Sequence, residues 1–190
     1  MIISAQNSIL SNVEQLWPSE GIIDLLVQRS SGQFVYAATV LKFVGSDFCI
    51  PTKQLALVLK RDPTAFSDLD QLYTQILSVY PSTVNIVKFL GIISASHGIL
   101  AEAIEDIFGM EGGELKLVLC GLSSLMKNED TERLNKGVIY AIPHFAHASF
   151  SDYLFNPSRS GPFHANRQEY ENQVTIRSFA LIIQMIRSWW

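Results

Sequence analysis

Between Asp68 and Val79 the apolar residues Leu69, Leu72, Tyr73, Ile76 and Leu77 recur at i, i+3, i+4, i+7 and i+8. That spacing lays them on one face of an α-helix and cannot line one face of a strand. Comparable segments, each ten to fifteen residues long and cut off by Pro, Gly or Ser, fill most of the chain, so a mainly α fold is expected. A helix is predicted from about 20 to 29, started by Pro18-Ser19-Glu20 with Ser19 as cap and broken by Ser30-Ser31-Gly32. Phe34 to Val44 (FVYAATVLKFV) has enough β-branched and aromatic residues for a strand, but its length together with Ala37, Ala38 and Leu41 favours a helix. TKQLALVLKRD, bracketed by Pro51 and Pro63, carries one further helical face.

Beyond Pro81 the pattern changes. Helices are predicted over 82–95, 99–108 and 113–127, with Val138 to Ile142 as a strand, a closing helix over about 147–155 and a loop from Pro157 to His164. Three helices, a β wing and a closing helix are the order of a winged helix-turn-helix. An amphipathic helix over 168–189 follows. The expected organisation is a helical segment over 1–80, a winged-helix domain with a short β-hairpin wing over 81–165, and the start of a further helical region over 166–190, read as truncated after Trp189-Trp190.

Charge and motif content narrow the function. The chain carries 14 Lys and Arg against 18 Asp and Glu, a net charge of −4. Residues 81–165 hold six basic residues against nine acidic ones, a net charge of −3, and the third helix, ELKLVLCGLSSLMK, is mostly apolar. A major-groove reader needs the opposite balance, so nucleic acid is disfavoured as a partner. Cys49 and Cys120 lie in apolar runs, which excludes a disulfide scaffold and a Cys-based zinc site. His97, His144, His147 and His164 make no ligand spacing, so no metal is expected. There is no Gly-Lys dipeptide to build a P-loop, no Walker B strand end and no GxSxG elbow; a Ser149–His147–Asp152 triad would need residues too close in sequence. No catalytic residue is assigned and no enzyme is expected. The N-terminal ten residues lack the features of a secretory signal, and no apolar run reaches the ~20 residues of a membrane span, so a cytoplasmic location with no membrane partner is expected.

Two stretches carry a family resemblance. Trp17-Pro18-Ser19-Glu20, followed by Leu26 to Val40 (LVQRSSGQFVYAATV), resembles the helical segment just after the nucleotide-binding core of NACHT-type STAND NTPases, in particular the fungal NOD-like receptor-type proteins. His147-Ala148-Ser149-Phe150-Ser151-Asp152-Tyr153-Leu154 is similar to the H-x-S-F-x-[DE]-[FY]-L pattern of that family's winged-helix part. The likeness spans roughly residues 15–165, without the P-loop core.

The resemblance implies a regulatory part of a signal-transducing nucleotide switch. In the family the motif histidine contacts the β-phosphate of bound ADP and holds the receptor closed, and exchange for ATP releases it to assemble. Here that role falls on His147. An imidazole at a helix start can donate to a phosphate, and the helix N–H groups add positive partial charge. The plainer reading is a histidine that caps or packs the junction, and the two stand level. Of the other motif positions, Phe150 and Tyr153, with Leu154, have the spacing of a buried helix face, and Ser149 and Asp152 suit capping or surface positions. Gly32 falls near a glycine-x-proline that touches adenine in relatives, with Phe34 in the proline's place. The implied partners are the parent's nucleotide-binding domain, through an apolar surface on 34–44 and the third winged helix, and further copies of the chain. No cofactor is expected in isolation, and ADP or ATP in a full-length relative. The rival reading is a free-standing winged-helix adaptor for protein partners, with DNA a weaker option.

Overall fold

A computed structural model describes residues 17–46, 49–60, 67–80, 82–96, 99–127 and 143–188. Among them the chain is mainly helical and contains no extended strand. It forms two compact units, Met1–Ile76 and Leu77–Trp190.

In the first unit, α1 (Glu20–Ser30) packs on α2 (Phe34–Val44), and α2 on α3 (Pro51–Leu59); α4 (Asp68–Leu77) follows. Ser19 stands at the N-cap of α1, but its side chain accepts no capping hydrogen bond. The helix stops where Ser31 adopts the left-handed conformation at φ 46°, and Gly32 follows at φ 78°. The ambiguous segment 34–44 is a helix, with Tyr36, Val40, Phe43 and Val44 buried at i, i+4, i+7 and i+8. α3 begins on Pro51, whose missing N–H costs nothing in a first turn. Its last carbonyls are claimed from outside the helix. Arg29 donates to the carbonyls of Val58 at 2.8 Å and Leu59 at 3.2 Å, and the side-chain amides of Gln71 and Gln75 both donate to Lys60. On α4 the five apolar residues of the 68–79 pattern are all buried. Each such side chain contributes roughly 1.5–3 kcal/mol of burial, so this one face accounts for the helix.

The second unit is built on α5 (Thr83–Ala95), α6 (Ala101–Phe108) and α7 (Glu114–Gly121), where α6 and α5 each pack on α7. Ser82 caps α5 by accepting from the Asn85 N–H. The apolar run predicted as one helix to residue 127 leaves the helix at Gly121: Leu122 and Leu125 are buried in a turn, and Met126 is buried just after it. Met126 and Phe145 form an antiparallel bridge, flanked by Lys127 N–H to His144 carbonyl at 3.0 Å and Ala146 N–H to Leu125 carbonyl at 2.8 Å. The strand expected over 138–142 lies outside the described residues, as does His97.

The closing helix is α8 (Ala148–Leu154), followed by α9 (Pro157–Ser160) and a 3₁₀ turn (Gly161–Phe163). The expected loop over 157–164 is thus corrected to two helical turns. Asn156 supplies the cause: its side chain accepts from the Ser158 N–H, and Pro157 sits pre-formed at the first helical position. The chain finishes on α10 (Arg167–Ser188), whose first half lies on α5 and α6. Tyr170 covers Gly91, Val174 is buried, and the Arg177 guanidinium stands 4.9 Å over the Phe108 ring. Val174 is the helix's one buried residue, whereas Ile176, Phe179, Ile182, Ile183, Met185 and Ile186 are exposed. No described helix is long and apolar enough to cross a membrane.

Candidate functional site

The H-x-S-F motif sits where the bridged segment turns into α8. His147 is the N-cap residue, in extended conformation, and its ring rather than a hydroxyl does the capping: Nδ1 accepts from the Ser149 N–H at 3.1 Å. The Ser149 hydroxyl lies 2.7 Å from the same nitrogen. An Nδ1 that accepts from the backbone must be unprotonated, so the neutral ring carries its proton on Nε2 and has a donor left to offer. The side chain is exposed.

The rest of the motif divides by burial. Phe150, Tyr153 and Leu154 are buried, and Phe150 meets Phe145 edge-on with centroids 4.9 Å apart and stacks on Tyr153 at 6.1 Å. These aromatic contacts fasten the bridge to α8. The Leu154 carbonyl accepts from the Ala165 N–H at 3.1 Å, tying the end of α8 to the start of α10. Asp152 is exposed on the outer side of the helix.

A cavity of about 560 Å³ opens beside His147. Its walls come from α5 (Ile93, Ser94), from the bridged segments (Lys127, Pro143, His144, Phe145) and from α8 and its sequel (Ala148, Ser151, Phe155, Arg167). Of the motif, His147, Ala148 and Ser151 line it, and of its candidate site positions His147, Ser149, Phe150, Asp152 and Tyr153, only His147 does. Ser149 orients that ring, Phe150 and Tyr153 lie in the core, and Asp152 stands apart. Lys127 and Arg167 are the site residues that sequence reasoning missed. Each is an isolated basic residue in a different segment, and no local pattern joins them; the Met126–Phe145 bridge and the Leu154–Ala165 hydrogen bond bring them to one cavity.

The first unit has a smaller cavity of about 240 Å³, lined almost wholly by apolar side chains, among them Trp17, Leu26, Val40 and Leu55. Tyr36 lines the same cavity, and burial raises its phenol pKa while the adjoining Arg29 pulls it down. Of the surface expected on 34–44, Phe34 is 91% exposed while the main face is buried, and on the third helix Leu117 is 77% exposed between buried Leu115 and Leu119. Cys49 and Cys120 are half-buried and not disulfide-bonded. Among the described residues no group of His, Cys, Asp or Glu is arranged to hold a metal ion. No protein-family model, curated protein or solved structure matches this chain.

Proposed function

We propose that this chain is a non-catalytic regulatory module of a NACHT/STAND-type nucleotide switch, working in the cytoplasm by packing on a nucleotide-binding domain and stabilising its ADP-bound, closed state. One observation carries the reading: His147, the motif histidine, is exposed, has Nδ1 committed to the helix cap, and turns toward a cavity shared with Lys127 and Arg167. A phosphate placed there would accept from Nε2–H and face positive charge. The antiparallel pairing of 125–127 with 144–146 suits the base of a β-hairpin wing, and α5, α6 and α7 suit the helices of a winged-helix domain. The adenine and the main phosphate cradle belong to the partner core, because this chain has no P-loop. Release of the histidine on exchange for ATP would free the module and permit assembly with further copies.

The test is ADP affinity of a polypeptide that joins a P-loop core to this chain, with and without His147→Asn. The expected result is affinity weakened about tenfold, the effect of losing one hydrogen bond to a charged group, with raised basal activation. Unchanged affinity and unchanged activation would reject the reading.

The exposed Ile176, Phe179, Ile183 and Ile186 on α10 favour a second reading, a winged-helix adaptor that docks protein partners. Removal of that apolar face would abolish partner capture while leaving nucleotide binding untouched.

A further inference from the structure

α10 has two unlike faces. Tyr170, Val174, Ser178 and Leu181, at i, i+4, i+8 and i+11, are buried or half-buried, and the first half of the helix rests on α5 and α6. Arg177 lies on that side too, over the Phe108 ring. The opposite side carries Ile176, Phe179, Ile183 and Ile186, at i, i+3, i+7 and i+10, with Ile182 beside them. These residues are between 49% and 68% exposed. Alternating steps of three and four are the a and d spacing of a coiled-coil seam, a narrow stripe that a second helix fills by setting knobs into holes. Single exposed apolar residues are ordinary on a protein surface, whereas a stripe kept in register over about three helical turns marks a contact.

We propose that this stripe is the interface of a homodimer in which α10 of two chains pair antiparallel. Pairing about a two-fold axis at the level of Leu181 sets Ile176 against the partner's Ile186 and Phe179 against the partner's Ile183. Each a residue then meets a d residue, and the two phenylalanines do not face each other. The same order opposes the two helix dipoles and turns the Arg187 end of each helix toward the acidic start of the other, where Glu169 and Glu171 lie. The positions flanking the stripe favour a second copy over a different protein. Charges there select the partner in coiled coils, and Gln173, Thr175, Ala180 and Ile182 carry none, so nothing repels a like chain. A membrane surface fits less well. It calls for a row of Lys and Arg, whereas from 172 to 188 the charged residues are Arg177 and Arg187 alone, the first of them held over Phe108. Half-exposed as they are, the stripe residues and Ile182 offer on the order of 500 Å² per chain and roughly 1,000 Å² per pair, the threshold of a specific interface. An interface of that size gives a dimer that forms at micromolar concentration. The proposal does not rest on the nucleotide switch, and it gives to a second copy the face that the adaptor reading gives to another protein.

The experiment is sedimentation velocity on the full 190-residue chain over a dilution series from about 1 to 200 μM. The mass is expected to double across the series. Ile183→Lys should weaken association at least about a hundredfold, because each pair loses two buried isoleucines. Met185→Lys, comparably exposed but off the stripe, should leave association unchanged. Urea midpoints of both variants at the lowest concentration should match the parent's, which separates lost pairing from lost folding. The antiparallel order has its own readout. Ile176→Lys and Ile186→Glu should each weaken association alone, and a mixture of the two chains should associate more tightly than either, because that order alone brings the two substituted positions together. A chain that stays monomeric throughout, association indifferent to Ile183→Lys, or equal loss in Met185→Lys would each overturn the interface. A mixture no tighter than its components overturns the antiparallel order. A monomeric chain that sediments with phosphatidylserine vesicles gives the stripe to a membrane and likewise overturns the dimer. None of these outcomes bears on ADP affinity in the joined polypeptide, which tests the switch separately.

Discussion

Tyr170 of α10 lays its ring directly against the backbone of Gly91 on α5, so closely that a Cβ built on the glycine would overlap the ring. The two helices meet at a point where one supplies an aromatic plate and the other supplies nothing. Gly91→Ala sets two effects against each other, since alanine raises helix propensity by about 1 kcal/mol while the overlap forces the ring or the helix to move. The overlap is expected to win, with a net loss of about 1–3 kcal/mol in urea unfolding. Combining it with Tyr170→Ala should cost less than the sum of the two single changes, because the removed ring can no longer be displaced.

Glu105 has a buried carboxylate fully occupied by another helix: Oε2 accepts from the Gly113 N–H at 3.0 Å and Oε1 from the Leu115 N–H at 2.8 Å. It thereby satisfies two of the free N–H groups at the start of α7 and joins α6 to it. Glu105→Ala is expected to destabilise the second unit by about 2 kcal/mol, since both N–H groups lose their acceptor. Glu105→Gln, which keeps one acceptor oxygen, should cost less. Thermal unfolding of the two variants checks the order.

These two contacts show where sequence reading stops. The i, i+3, i+4 pattern of 68–79 became a helix with all five of its apolar residues buried, because periodicity reports one face of one element. It says nothing of the element that covers the face, so neither the Gly91 keyhole for Tyr170 nor the reach of Glu105 was legible. Apolar periodicity also runs through turns, which is why the prediction carried α7 past Gly121 into residues that are buried without being helical. Pro157 to His164 read as a loop, although proline at a first helical position begins a turn as readily as it ends one. At the site, the motif marked His147, whereas Lys127 and Arg167 became neighbours only through pairings distant in sequence.

Alkaline pH should weaken the fold through its phenols. Burial raises the pKa of Tyr170, with the nearby Glu169 charge adding to the shift, and burial likewise raises Tyr36 against the opposing pull of Arg29. A phenol raised in the folded state contributes stability that is fully present below its unfolded value, about 10, and is lost as pH rises through the folded value. Urea midpoints should therefore hold level to about pH 10 and fall beyond it. Tyr170→Phe should flatten that fall, as it removes the ionising oxygen and keeps the ring on Gly91. A decline of equal steepness in the variant would contradict the assignment.

His147 caps α8, and the phosphate contact proposed for it would be a second, separable job. The cap needs only an acceptor at the Ser149 N–H, a task asparagine performs from the same position, whereas the proposed phosphate contact would need the imidazole Nε2. His147→Asn should unfold within about 0.5 kcal/mol of the parent, and His147→Ala should lose about 1 kcal/mol with the cap. If the ring serves only as a cap, the two variants will differ from each other in stability, and the asparagine chain will match the parent in every nucleotide assay. If it also donates to a phosphate, both variants will bind ADP equally poorly in the joined polypeptide despite their different stabilities. Chemical denaturation and ADP titration, run side by side on the three proteins, distinguish the outcomes, because stability follows the acceptor and affinity follows the imidazole.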